Sequence, residues 1–143
     1  NGNKALTSFE LPALTSVGGE LWVYGNKALT SFDLPALTSV GGDLRVNGNK
    51  ALTSFELPAL TSVDGHLWVK YNKALTSFDL SVLTSVGYNL YVDGNHALAQ
   101  CLVDALVDQI EAGEGIGGSI NISYNNNNCT CSEVGGVLEA ICD

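Results

Sequence analysis

The stretch GNKALTSFDLPALTSVGGDLRVN, residues 25–47, occurs four times in register with small changes. Asn3, Asn26, Asn49, Asn72 and Asn95 mark a period of 23 residues. Leu6, Phe9, Leu11, Leu14, Val17, Leu21 and Val23 recur at that same spacing. A unit this short cannot enclose its own apolar side chains. It must stack on its neighbours as one coil of a solenoid, so that adjacent units bury each other.

Within each unit one segment, GDLRVN at 42–47, alternates polar and apolar residues, the period of a half-buried strand. Leu44 and Val46 are expected to point inward, and Asp43, Arg45 and Asn47 outward. Residues 20–24, 66–70 and 89–93 read the same way. Stacked at the spacing of one strand, about 4.8 Å, these segments form a parallel sheet, with right-handed coiling expected from the rule for parallel crossovers. Elsewhere in the unit the apolar residues are spaced by three, two, three and three, which suits short extended segments joined at corners. Pro12, Pro35 and Pro58 occupy one corner, where Ser81 stands in the fourth unit. At another, Tyr71 replaces the glycine of Gly25 and Gly48, which predicts a turn with no need of positive φ.

After Asn95 the pattern changes. Cys101 falls one period after Phe78, and is expected to point inward like Phe9, Phe32 and Phe55. Leu102, Val103, Leu106, Val107 and Ile110 then follow helical spacing, opposite Asp104, Asp108 and Glu111. Glycines 113, 115, 117 and 118 end that helix, and Ile120 and Ile122 restore the strand positions of Leu44 and Val46. Ser132 is expected to N-cap a short final helix carrying Val134, Val137, Leu138 and Ile141. The chain thus divides into solenoid repeats at 1–98 and a closing cap at 99–143, needed because a last coil otherwise exposes its core. All four cysteines, Cys101, Cys129, Cys131 and Cys142, lie in this cap. Their even number and the absence of finger-like spacing favour disulfides, and an oxidising compartment, over zinc. Three connectivities are open, of which Cys101–Cys129 with Cys131–Cys142 is the favoured one.

The pattern Leu37-x-x-Val40-x-Gly42-x-Leu44-x-Val46-x-x-Asn49 resembles the leucine-rich repeat in its receptor L-domain form. Such domains occur in the ectodomains of insulin-receptor-like kinases, in fungal cell-wall proteins and in secreted bacterial surface proteins. The likeness covers residues 1–98, and the cysteine-bearing end is similar to the disulfide caps of such domains. It implies a mainly β, extracellular binding scaffold with no catalytic residues to carry over. Units this nearly identical are more like bacterial or protist arrays grown by recent duplication.

Buried and corner positions barely change between units, whereas the outward strand positions do. One row reads Glu20, Asp43, His66, Asn89 and Ser119, a second Trp22, Arg45, Trp68, Tyr91 and Asn121, and a third Tyr24, Asn47, Lys70, Asp93 and Ser123. Variation confined to one open sheet marks a recognition surface for a protein or carbohydrate, and aromatics with arginine are the residues that dominate such surfaces. The plainer reading is decoration, with Arg45 stacked between Trp22 and Trp68.

Other rows have structural readings. The asparagines are expected to stack at a turn and bond its backbone. Glu10, Asp33, Glu56 and Asp79 form an acidic row, ordinarily a solvated face beside the Lys4, Lys27, Lys50 and Lys73 row, with calcium as the alternative. Thr7, Thr30, Thr53 and Thr76, and likewise Thr15, Thr38, Thr61 and Thr84, form hydroxyl rows that suggest an ice-binding solenoid. Their flanking residues instead place them at corners, where hydroxyls serve the backbone. No serine, cysteine, carboxylate or histidine stands apart as an activated group, so an enzyme is not expected, nor a cofactor or resident metal. A net charge of −9 disfavours nucleic acid, and no apolar run suits a membrane span. The opening Asn1-Gly2-Asn3 matches Asn47-Gly48-Asn49, as in a chain starting within a repeat, which suggests upstream repeats or self-association at that end.

Overall fold

The computed structural model describes residues 1–142. Each coil contributes three short strands. The first holds β1 (Ser8–Glu10), β2 (Ser16–Val17) and β3 (Leu21–Tyr24), and the second β4 (Ser31–Asp33), β5 (Ser39–Val40) and β6 (Leu44–Asn47). The third holds β7 (Ser54–Glu56), β8 (Ser62–Val63) and β9 (Leu67–Lys70), and the fourth β10 (Ser77–Asp79), β11 (Ser85–Val86) and β12 (Leu90–Asp93). A fifth coil is interrupted by α1 (Gln100–Glu111) before β13 (Gly115–Ile116) and β14 (Ile120–Ser123) complete it. The chain ends in β15 (Cys129–Val134) and β16 (Val137–Cys142).

Equivalent strands pair in parallel with no slip, so residue i meets residue i+23: Phe9 opposite Phe32, Val17 opposite Val40, Leu21 opposite Leu44. Three sheets result, ordered β1-β4-β7-β10, β2-β5-β8-β11-β13 and β3-β6-β9-β12-β14. We call them the phenylalanine, corner and outer-face sheets. The protein is therefore a mainly β solenoid of 23-residue coils, as the repeat requires. The segments expected only as extended corners are themselves two sheets.

Inside, leucines and valines at equivalent positions form continuous columns. Leu29, Leu34, Leu37, Val40, Leu44 and Val46 of the second coil have no exposed surface. The phenylalanines stack with centroids 5.1, 5.3 and 5.9 Å apart. In the first coil, by contrast, Leu6 and Leu11 are 37% and 46% exposed, because nothing described stacks on that side.

The asparagine row is a buried ladder. Asn26 N–H and Nδ2 both donate to Asn49 Oδ1 at 3.0 and 3.2 Å, while Asn49 Nδ2 donates to Val23 O at 2.8 Å. Asn72 and Asn95 repeat this arrangement. A further rung, Asn125, bonds to Asn95 and to Val92 O. It lies 30 residues on, because the inserted helix lengthens that coil by seven.

Four expectations are corrected. The turn before each asparagine is left-handed throughout: Gly2, Gly25, Gly48 and Gly94 have φ of 65–69°, and Tyr71 and Tyr124 adopt 58° and 55°. Tyrosine at this place does not relax the turn, since stacking on the neighbouring coils dictates its backbone. Second, the residues expected as a final helix form the antiparallel hairpin β15–β16, turned by Gly135-Gly136, both with positive φ, the two-residue turn that suits a hairpin. Third, the disulfides are Cys101–Cys131 and Cys129–Cys142. Cys129 and Cys142 face each other directly across the hairpin, which leaves Cys131 for Cys101. Fourth, Cys101 does not continue the phenylalanine column. It lies in the first turn of α1, bonded to Cys131, because the helix replaces the strand there. The helix otherwise matches its spacing, burying Val103, Leu106 and Ile110. Gln109 Nε2 ties it to the fourth coil by donating to Leu80 O and Leu83 O.

Asn49→Ala would strip acceptors from Asn26 and a donor from Val23 O, all inside the stack. A buried polar group left unpaired costs roughly 1–3 kcal/mol, so urea denaturation should show a loss of about 2–4 kcal/mol. Gly48→Ala, strained at positive φ but meeting the Tyr24 ring only at an ordinary contact distance of 3.7 Å, should cost only about 1 kcal/mol.

Candidate binding face

The outer-face sheet turns alternate side chains to solvent, and the strand register lines them up. Trp22, Arg45, Trp68, Tyr91 and Asn121 are successive partners across β3, β6, β9, β12 and β14. The Arg45 guanidinium carbon sits 4.7 Å from both the Trp22 and Trp68 rings, sandwiched between them. Trp68 in turn lies 4.7 Å from Tyr91 at a tilt of 52°. Trp22, at the end of this column, is 42% exposed. The Trp68 Nε1–H is shielded from solvent and meets no acceptor among the described residues.

A polar row braces the column. Asp43 accepts from Arg45 Nη2 at 2.6 Å and Nε at 3.3 Å, and through its other oxygen from His66 N–H at 2.8 Å. His66 Nδ1 accepts from Asn89 N–H at 3.1 Å, so Nδ1 carries no proton in this arrangement. Asn89 Oδ1 accepts from Ser119 N–H, and Asn89 Nδ2 donates to the Tyr91 hydroxyl. Each side chain of this row thus serves the backbone of the next coil while supporting the aromatic column. Burial pushes the Asp43 carboxyl up, but the hydrogen bonds from the Arg45 side chain and the His66 backbone N–H, with the Arg45 charge, hold it below its ordinary value.

The third row holds Lys70, whose Nζ lies 3.2 Å from Asp93 Oδ2. The ion pairs among the described residues, Arg45–Asp43 and Lys70–Asp93, both stand on this sheet. The Lys4, Lys27, Lys50 and Lys73 row does not pair with the acidic row. Glu20 and Tyr24 flank the face on its first strand, exposed and outside the hydrogen-bonded network.

Two participants escape a comparison restricted to strand positions. Tyr71, 56% exposed, and Tyr88, 60% exposed, border the sheet. Tyr88 packs 5.3 Å from the His66 ring, and Tyr71 5.2 Å from Lys70 Nζ. Both stand where other coils have glycine, at Gly25 and Gly48 for the first and at Gly19, Gly42 and Gly65 for the second. That exchange was the available signal.

The other rows lie apart. The threonine hydroxyls donate to the carbonyl of the equivalent threonine one coil back, Thr30 to Thr7 at 3.0 Å and Thr38 to Thr15 at 2.9 Å, and so on along both rows. They sit just before the strands of the phenylalanine and corner sheets, at the corners. Glu10, Asp33, Glu56 and Asp79 are in register on the phenylalanine sheet. No three His, Cys, Asp or Glu side chains among the described residues converge as metal ligands. No helix described is long and apolar enough to cross a membrane. No family model, curated protein or solved structure matches this chain.

Asp43 supplies the test of this network. A carboxyl with a depressed folded-state pKa contributes stability that is complete above its unfolded value and lost as pH falls through its folded one. Asp43→Asn should therefore flatten the acid limb of the stability curve, measured by urea denaturation from about pH 5 to about pH 2. An equally steep limb in the variant would mean that the network does not hold the charge.

Proposed function

We propose that this protein is a non-enzymatic, extracellular or surface-displayed binding module of the leucine-rich-repeat, receptor L-domain kind. On this reading it engages a protein or glycan through the outer-face sheet. The observation that carries the proposal is the Trp22–Arg45–Trp68–Tyr91 column, with Trp22 exposed and the other three half-buried, on the outward side of one sheet in a chain whose buried positions are copied from coil to coil. Large aromatics and arginine held rigid by their neighbours lose little freedom on binding, and such residues carry most interface energy. Arg45 lies against one indole face of Trp22 and one of Trp68, and Trp22, on the edge strand, remains 42% exposed for contact with a protein side chain or a sugar ring. The two disulfides support the extracellular setting, because they persist in oxidising compartments.

One observation favours a second reading, association through the first coil, where Leu6 and Leu11 are exposed beside the open edges of β1, β2 and β3. A monomer at every concentration in analytical ultracentrifugation would remove it.

A binding screen against glycan arrays and a panel of extracellular proteins, followed by Trp22→Ala and Trp68→Ala, tests the main reading. Each variant should weaken a captured partner at least tenfold, the loss typical of a central aromatic anchor, with the melting transition retained. Undiminished binding by folded variants refutes the face.

A further inference from the structure

Lys70 is the last residue of β9, and its ammonium lies among three rings. Nζ is 5.5 Å from the centroid of Trp68, two residues back on the same side of the strand. It is 5.5 Å from Tyr91, the cross-strand partner of Trp68, and 5.2 Å from Tyr71 at the turn. Asp93, the cross-strand partner of Lys70, adds a carboxylate at 3.2 Å. Three aromatic rings and one negative charge thus converge on a single cation.

This convergence exists in one coil only. Where the third coil has Lys70 and Tyr71, the others have Tyr24 and Gly25, Asn47 and Gly48, Asp93 and Gly94, and Ser123 and Tyr124, so that a lysine beside the turn tyrosine occurs once. The third wall is also held against a steric preference. Tyr71 adopts φ of 58°, a conformation that glycine takes freely and a bulky residue does not. Its ring is seated over Gly94, where a Cβ would come within 2.6 Å of Tyr71 Cδ1. Backbone strain kept at an exposed position is a reason to look for a ligand contact.

We propose that Trp68, Tyr71, Tyr91 and Asp93 form an aromatic cage for a methylated ammonium group, and that Lys70 is its resident competitor. Ring faces attract cations through their quadrupole, and cages of this composition suit quaternary ammonium best. A primary ammonium is compact and strongly hydrated, on a flexible four-carbon stem. Lys70 therefore regains hydration and freedom when it swings out, whereas a methylated cation gives up less water on entry. The proposal rests on reading the outer-face sheet as a recognition surface and names the chemical group that its Lys70 corner takes.

Tetramethylammonium chloride, titrated at constant ionic strength against sodium chloride, is the probe. The readouts are calorimetric heat and the upfield shift of the methyl protons caused by ring currents. The wild-type protein should give a saturable shift. Lys70→Ala should bind about tenfold tighter, since it lacks the competitor, and Tyr71→Gly about tenfold weaker, the scale of a desolvated cation–ring contact. Tyr71→Gly is fold-safe, because glycine occupies that turn in other coils, and its melting temperature checks this. No saturable shift in the wild type, binding confined to Lys70→Ala, or equal binding by folded Tyr71→Gly each overturns the cage. Trp22 is outside the cage, so a macromolecular partner still sensitive to Trp22→Ala would preserve the broader reading when the cage fails. Where tetramethylammonium binds, phosphocholine and a trimethyllysine peptide distinguish a headgroup source from a modified protein.

Discussion

The register between coils is the constraint from which every surface of this protein follows, and the buried asparagine ladder fixes it. Asn49, Asn72 and Asn95 have no exposed surface, and each meets partners on both sides of its own coil. A slip of one residue would leave several of these amides unpaired inside the stack, where polar groups without partners are expensive. It would also exchange the inner and outer faces of each strand. The ladder therefore specifies more than stability. It decides that Phe9, Phe32, Phe55 and Phe78 form one column, and that Trp22, Arg45, Trp68 and Tyr91 form another.

Strict register has an electrostatic consequence. Identical units place identical side chains one strand apart, which is favourable for leucine, phenylalanine and threonine but not for a charge. The acidic row of the phenylalanine sheet shows the unrelieved case. The outer-face sheet differs, because its units are not copies. Arg45 stands between two tryptophans and beside Asp43, and Lys70 stands opposite Asp93. Both ion pairs among the described residues thus collect on the sheet whose outward positions vary. Departure from the repeat is what allows that sheet to carry mixed charge and aromatic rings in fixed positions.

The architecture was legible because it depends on periodicity, and periodicity survives in a single sequence. Alternation marked the outer-face strands, and helical spacing marked α1 with its buried Val103, Leu106 and Ile110. The two-residue strands of the corner sheet were not legible, since so short a segment has no alternation of its own. The final hairpin was misread because Val134, Val137, Leu138 and Ile141 also fit a helical face. Gly135-Gly136 was the contrary signal, and it outweighs the spacing. The disulfide pairing followed from that hairpin and so failed with it. Asn125 was hidden by the inserted helix, which displaces it from the 23-residue count. Of the site, the column and its polar row could be read from strand positions, whereas Tyr71 and Tyr88 lie outside them.

Tyr71 shows why a repeat protein can be read against itself. A left-handed conformation costs an ordinary residue about 1–2 kcal/mol relative to the right-handed one, and glycine largely escapes this cost. Gly25, Gly48 and Gly94 use that freedom, so the turn itself gives no reason for a tyrosine. Nor does burial, because the side chain is 56% exposed and leaves no core to fill. What the ring does meet is the Lys70 ammonium and the space above Gly94. A single protein without repeats would offer a strained tyrosine and no reference. Here the other coils supply it: of the two left-handed tyrosines, Tyr71 and Tyr124, it is Tyr71 that stands at the corner where Lys70, Trp68, Tyr91 and Asp93 meet.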